Sequence, residues 1–388
     1  MSFPNRILIG LLGLLVSVGS PAASRVSGQT DATTLPFLIG GYGEGLYLSE
    51  LNTATGDMAP ARLLIQLASP SFFCQHPTLD IIYCVSETRA DDRTAPATIT
   101  SLAWDKKTQS LTILNQQPIG SSGPCYVSTT PMGELAMVAN YSDGTLATFP
   151  IEVDGRLKER LQLIEHRGTG TNQNRQSEPH AHSIVPDPTG RWVCAADLGT
   201  NNIHVYAFDS ETLSLSPNPS GPTVFALPPG SGPRHLIFDP DHSTAYVLNE
   251  LTSTLEMLSW DAAMGQFKKL DLQSTLPDDF SGNNSTAEVL IHPNGNYVYA
   301  SNRGHNSIAA FKIIDNKRLQ PIGHCSTGGE TPRNFRIDPS GKFLLAENQN
   351  SDSVYVLAID KNGQLSNTNT HIDVPKPACI KFIRQPSN

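Results

Sequence analysis

The stretch SGPRHLIFDPDHSTAYVLNELTSTLEMLSWD, residues 231–261, sets a guanidinium and an imidazole side by side, Arg234 and His235, with the carboxylate of Glu250 sixteen residues past Arg234. Groups of these types could hold an anion, polarise an ester carbonyl and carry a proton. They act together only if the chain brings them together. Arg234 lies six residues before Pro240 and Glu250 ten after it. A hairpin turning at the proline therefore puts both at the same end of two antiparallel strands.

The same register recurs along the chain. SFFCQHPTLDIIYCVSE, CYVSTTPMGELAMVANY, HSIVPDPTGRWVCAADL, RHLIFDPDHSTAYVLNE, AEVLIHPNGNYVYASNR and RNFRIDPSGKFLLAENQ align on Pro77, Pro131, Pro188, Pro240, Pro293 and Pro339. Six residues before the proline stand Ser71, Cys125, His182, Arg234, Ala287 and Arg333. Ten after it stand Glu87, Tyr141, Leu198, Glu250, Arg303 and Gln349. The position before that is repeatedly Asn or Asp (Asn140, Asp197, Asn249, Asn302, Asn348), which reads as turn residues bonding their own backbone. A purely structural site would repeat from segment to segment; the two varying polar positions do not. They nominate His182, Arg234 and Glu250 as catalytic groups. Arg303, His180, His235, His305 and Arg333 are nominated as substrate-binding. Arginines collected at one mouth repel one another unless an anion is expected, so a carboxylate or phosphate ligand follows.

The elements that must position these groups are short strands. Each segment is an apolar strand, a Pro-x-Gly-like turn and a second strand of alternating character; a third run follows, as in NNIHVYAFD or DSVYVLAID, and a fourth after a polar turn such as DKNGQL. Four strands repeating at this spacing make a propeller blade. CIKFIRQPS near the C-terminus looks like a first strand, and PFLIGGYGEGLYLSELNTATGDM near the N-terminus looks like the rest of a blade. The expected fold is all-β: a seven-bladed β-propeller of four-stranded antiparallel blades, the last closed by N- and C-terminal strands, in a single domain over residues 25–388. Closure removes open sheet edges.

Composition agrees. Of 388 residues, 30 are Gly and 29 Pro, and only 16% are charged, which suits short strands and many turns. A formal charge of −9 speaks against nucleic acid as a partner. Residues 1–24 read as a signal peptide: one Arg in MSFPNR, the apolar ILIGLLGLLVSV, then small residues in GSPAAS. An uncleaved anchor is the alternative reading. The expected location is periplasmic or secreted, with no membrane association after cleavage. Six cysteines show no zinc spacing, and Cys74 and Cys84 fall opposite one another in register, as a bridge or as two thiols.

EPHAHSIVPDPTGRWVCAADLGTN, GSGPRHLIFDPDHSTAYVLNEL, YVYASNRGHNSIAAF and TPRNFRIDPSGKFLLAENQNSDSV resemble the seven-bladed propeller lactonases, a family that includes 6-phosphogluconolactonase and carboxy-cis,cis-muconate cyclase. The resemblance covers essentially the whole chain after the signal. It implies site residues at the His of PHAHS (His182), the Arg of GPRH (Arg234), the Glu of NEL (Glu250) and the Arg of SNRGH (Arg303). It implies hydrolysis of a small anionic sugar lactone without metal or cofactor, by a monomer. Arg234 and Arg303 would hold the anion and polarise the carbonyl, and His182 or Glu250 would activate water. No Gly-x-Ser-x-Gly elbow is present, so a serine nucleophile is not indicated. A muconate-type cyclising isomerase and a non-catalytic binding propeller are the alternatives.

Overall fold

The structure, a computed structural model, describes residues 34–384 apart from position 94 and residues 240–242. The proposed signal peptide, its boundary at residue 24 and Pro240 lie outside the described residues. Within them no helix is long and apolar enough to cross a membrane.

Seven antiparallel sheets follow one another, and in five of them the four strands neighbour in sequence order. The inner strands of blades one to six are Phe72–Gln75, Pro124–Thr129, Ala181–Pro186, Pro233–Phe238, Ser285–Ile291 and Pro332–Ile337. Blade seven takes its inner strand, Pro377–Phe382, from the C-terminal end and its other three from Thr34–Gly41, Gly45–Asn52 and Arg62–Gln66. The pairing Leu38↔Lys381 and Ile39↔Ile380 closes the ring. Ending the chain at Lys376 would strip Thr34–Gly41 of that partner. Such a truncation is expected to abolish the cooperative thermal transition seen by circular dichroism.

Blade three departs from four plain strands. Its outermost strand is broken into Ser214–Pro217 and Val224–Ala226, both paired to Asn202–Asp209. The intervening NPSGPT carries two prolines, which cannot donate to a ladder.

The second strands are not alternating, as their sequences suggest, but buried on both faces: Ile81–Val85, Leu135–Asn140, Trp192–Asp197, Thr244–Asn249 and Phe343–Asn348 are buried throughout. Each lies between two neighbouring blades, so neither face meets water. Between blades three and four, for example, Trp192, Val205, Leu236, Val247 and Trp260 form one apolar cluster. Large side chains buried in this way contribute roughly 1.5–3 kcal/mol each.

The turns add polar staples. Asp187 and Asp338 accept the backbone N–H of Trp192 and Phe343 at the start of the second strand. In blades one and five, His76 and His292 take that place. Their Nδ1 atoms accept the N–H of Thr78 and Asn294, and their Nε2 atoms reach Gly133 O and Gly341 O of the next blade. Gly133 has φ +80°, and a Cβ there would sit 2.2 Å from His76 Nε2, so both conformation and space demand glycine.

The recurrent Asn also differs from expectation. Asn140, Asn249 and Asn302 donate to the hydroxyls of Thr145, Thr254 and Ser307 at the start of the third strand, rather than to their own turn. Only Asp197 accepts a local N–H, that of Thr200.

Cys74 pairs with Tyr83 and Cys84 with Phe73, one residue out of the expected register. Cross-strand partners share a face and neighbours along a strand alternate, so the two thiols project from opposite faces. All six cysteines are free. Unfolded protein without reductant should titrate six thiols with a chromogenic disulfide reagent; a lower count would show that a bridge had formed.

Candidate active site

The site is built by one irregularity repeated around the axis. In the inner strand of blade four the ladder passes from Pro233↔Asn249 to His235↔Leu248, leaving Arg234 as an extra, bulged residue. The same skip isolates Cys125, His182 and Arg333 in blades two, three and six. A bulge re-aims the side chain it carries, and here it delivers one residue per blade to the channel mouth.

A second repeat holds the rim above it. The backbone N–H of Glu87, Tyr141, Leu198, Glu250 and Gln349 donates to the carbonyl of Ser69, Gly123, His180, Gly232 and Thr331, respectively. Tyr42 makes the equivalent bond to Lys376 O in blade seven. Most of these acceptors have a left-handed φ: Ser69, Gly123, Gly232, Thr331 and Lys376 lie between +43° and +68°. Bulge and rim residues are thereby fixed next to one another.

A cavity of about 220 Å³ opens at this mouth, lined by Glu87, Cys125, Tyr141, Arg175, His182, Glu250, Arg303 and Arg333. Glu250 is its hub. Oε2 pairs with Arg303 Nη2 at 2.9 Å and Arg234 Nε at 3.3 Å, while Oε1 pairs with Arg175 Nη2 at 2.7 Å. Burial alone would raise the Glu250 carboxyl, but Arg303, Arg234 and Arg175 outweigh it and hold the group at about 2. Burial, with Arg303 and Arg333 nearby, brings Arg234 down to about 10, still a cation at neutral pH.

Arg234 and Arg303 are tied to backbone as well. Arg234 Nη1 donates to Ala287 O, and Arg303 Nη2 to Thr286 O at 2.7 Å. Behind Arg234, its Nη1 lies 2.9 Å from His235 Nε2, and His235 Nδ1 lies 2.8 Å from Glu288 Oε1. That order fixes the tautomer: Nδ1–H donates to Glu288 and Nε2 accepts from the guanidinium. Asn334 Nδ2 completes the chain on Glu288 Oε2.

His182 is buried, and burial together with Arg234, His235 and Arg333 pushes its imidazole well below the usual range. It is neutral at pH 7. Its Nδ1 lies 3.6 Å from Cys125 Sγ, which leaves Nε2 without a hydrogen-bond partner among the described residues. Burial, then Glu87, raises the Cys125 thiol far above its normal range, so it stays protonated.

The structure brings His182, Arg234, Glu250, Arg303 and Arg333 together. It places the other three nominated histidines elsewhere. His235 sits behind Arg234 as a support. His180 stacks on Tyr141 at 4.4 Å and reaches Tyr141 O with Nδ1 at 2.8 Å. His305 turns away to Ser307 Oγ and packs against Phe280 and His324. Arg175, which sequence reasoning passed over, comes from the loop between blades two and three. Tyr42 was missed too: its hydroxyl donates to Glu87 Oε2 at 2.8 Å and Arg333 lies over its ring at 5.2 Å.

Away from the cavity, His166, Asp197 and His204 bring ligand atoms within 4.8 Å of one another. They do not converge on a metal. The His166 and His204 rings stack at 3.7 Å and 14°, so their lone pairs lie in near-parallel planes one above the other and do not meet at one point. His166 bonds Asp197 through Nδ1 at 2.6 Å and the Tyr206 hydroxyl through Nε2 at 2.9 Å.

Fold and site together describe a seven-bladed propeller whose axial mouth gathers arginines around a buried carboxylate and a neutral histidine. The chain matches the family described as Lactonase, 7-bladed beta-propeller, over residues 32–382, and belongs to it. The 6-phosphogluconolactonase of Bacillus subtilis is 32% identical over 347 residues, covering 89% of this chain and 96% of its own. That of Formosa agariphila is 30% identical over 327 residues, covering 82% and 89%. Among solved structures, the periplasmic gluconolactonase of Pseudomonas aeruginosa superposes with a TM-score of 0.86 at 28% identity, covering 91% of this chain and 100% of its own.

Proposed function

We propose that this protein is a hydrolase that opens a small anionic sugar lactone, with His182 as general base and arginines as the electrophile. The observation that carries this is one cavity holding a neutral His182 beside Glu250, whose charge is committed to Arg175, Arg234 and Arg303. Glu250 has both oxygens engaged and is held near 2, which makes it a poor base and a good organiser of guanidinium groups. In the tautomer with Nδ1–H directed at the Cys125 sulfur, whose own S–H donates to backbone carbonyls, His182 Nε2 carries the lone pair the base role needs.

In the reaction, His182 takes a proton from water as the water oxygen bonds to the lactone carbonyl carbon. The carbonyl oxygen becomes an oxyanion against the Arg234 and Arg303 cations. The ring C–O bond then breaks, and the leaving alkoxide takes the proton back from His182. The acid product ionises and leaves.

Arg333 has no hydrogen-bond partner among the described residues; it lies over the Tyr42 ring and feels Glu87 and Glu250 only through space, which leaves its N–H groups for the substrate's anionic group. Arg333→Gln is expected to raise KM for an anionic lactone by roughly 10-fold or more, the loss of one charge-assisted contact, in a steady-state titration.

The arginines supply the positive charge a metal would otherwise bring, so the activity is metal-independent in this reading. The Pseudomonas aeruginosa relative's periplasmic location and the signal-like N-terminus support an exported protein. Cyclising isomerase and binding-module readings are less favoured, because named relatives are lactone hydrolases.

The test is proton release in a pH-stat, with phosphorylated, carboxylated and neutral aldonolactones, before and after dialysis against EDTA. Anionic lactones should be opened fastest, at rates EDTA leaves unchanged. Activity lost with EDTA and restored by a divalent ion would remove the metal-independent mechanism, and no turnover on any lactone would remove the hydrolase reading.

A further inference from the structure

Three guanidiniums surround Glu250, and they are not equivalent. Arg234 and Arg303 share Oε2, are 3% and 12% exposed, and are anchored to Ala287 O and Thr286 O. Arg175 alone takes Oε1, comes from the loop, and has a side chain 41% exposed. Among the described residues its guanidinium has no backbone anchor, and Nη2 bonds only the Tyr141 hydroxyl, at 3.1 Å, and Glu250. One carboxylate already faces two fixed cations without it. Arg175 is therefore the guanidinium that can leave Glu250 without stranding a buried charge, and the outermost one an incoming anion meets.

The loop is built to hold the base of this arm, while its end is tied only by side-chain bonds at the cavity. Gln176, next in sequence and fully buried, donates through Nε2 to Leu198 O at 2.8 Å and Asn201 Oδ1 at 3.1 Å. Its Oε1 accepts the Asn172 N–H, and Asn172 O accepts the N–H groups of Arg175 and Gln176. Tyr141, the resting dock of the guanidinium, is itself fixed by the stacked His180.

We propose that Arg175 is a specificity arm. It leaves Glu250 Oε1 to pair with the carboxylate or phosphate of an entering lactone, joining Arg333 on the same cavity, and so selects anionic over neutral lactones. The inference rests on the lactonase reading for its substrate, though not for its anion. An anion held by two guanidiniums takes several charge-assisted bonds. A neutral lactone leaves Arg175 where it is, narrowing the mouth.

The experiment pairs binding with kinetics on wild type, Arg175→Gln and Arg175→Lys, with melting temperatures as a fold control. Inorganic phosphate binding is measured by calorimetry. The kcat/KM values are then compared for glucono-δ-lactone and its 6-phosphate. Arg175→Gln should weaken phosphate binding by roughly 10- to 100-fold and lower the anionic-to-neutral selectivity by a similar factor; Arg175→Lys should retain part of both. Unchanged phosphate affinity, or equal losses on both lactones, would overturn the proposal. If wild type opens neither lactone yet loses phosphate binding on Arg175→Gln, the lactonase reading falls and the anion arm stands.

Discussion

Glu250→Gln is expected to lower kcat/KM by roughly 10²–10³-fold, on the scale of removing a transition-state stabiliser, and to cost about 3–5 kcal/mol of stability. The side chain keeps its shape, so packing is not the reason. Arg234 is buried, Arg303 is only slightly exposed, and neither has another carboxylate within ion-pair distance among the described residues. Without the charge at Glu250 each becomes an uncompensated cation, and both lose the partner that aims them at the carbonyl. Urea unfolding and steady-state rates on the same preparation read the two effects. A variant as stable and active as wild type would mean that Glu250 organises nothing.

The same carboxylate gives stability a pH dependence of known sign. Its folded value of about 2 lies below the ordinary 4.5, so between those values the unfolded chain binds more protons. The stability it contributes is complete above about pH 4.5 and is lost as pH falls towards 2. His182 acts in the same direction in a different window. Its folded value is depressed below 6.5 by burial, so stability falls as pH drops below 6.5.

His182→Gln carries the second large effect, a fall in kcat of roughly 10²–10⁴-fold, the usual yield of a positioned general base. The ion-paired cluster does not include His182, so the melting temperature should change far less than with Glu250→Gln. The pH profile separates the base from its alternatives. Because burial and three cationic or imidazole neighbours hold the His182 imidazole neutral, the rate should stay level as pH falls through 6.5 and drop only below it. A wild-type acid limb centred at 6.5 or above would assign the proton transfer to another group.

Much of this architecture was legible because its signals are local. The Pro-x-Gly turns and the polar turn before each outer strand punctuate the chain at a spacing that only a blade repeat explains, and the two ends complement one another. The register pointed at the mouth because a hairpin's two strand ends share a rim. What it could not show is the bulge, which depends on how the partner strand slips. That slip sends Arg234 to the mouth and its neighbour His235 behind it. Nor could it show that His305, two residues from Arg303, would turn towards Ser307. Tyr42 was one residue short of legible: aligning PFLIGGYG on KFLLAENQ sets it at Asn348, next to the rim position of Gln349 that its backbone bond to Lys376 O gives it. Arg175 was out of reach, since it belongs to no strand register and is placed by the tertiary bonds of Gln176. The expected Cys74–Cys84 pairing failed by a single residue of register, enough to reverse which face a side chain occupies.

The central claim is that this cavity opens lactones by His182-assisted attack of water within an arginine cluster held by Glu250. The most direct measurement follows the ring opening of 6-phosphoglucono-δ-lactone in a pH-stat, with wild type, His182→Gln and Glu250→Gln side by side at matched folded concentration. The account predicts rapid opening by wild type and a rate near the uncatalysed background for both variants. Turnover by His182→Gln equal to wild type would contradict it.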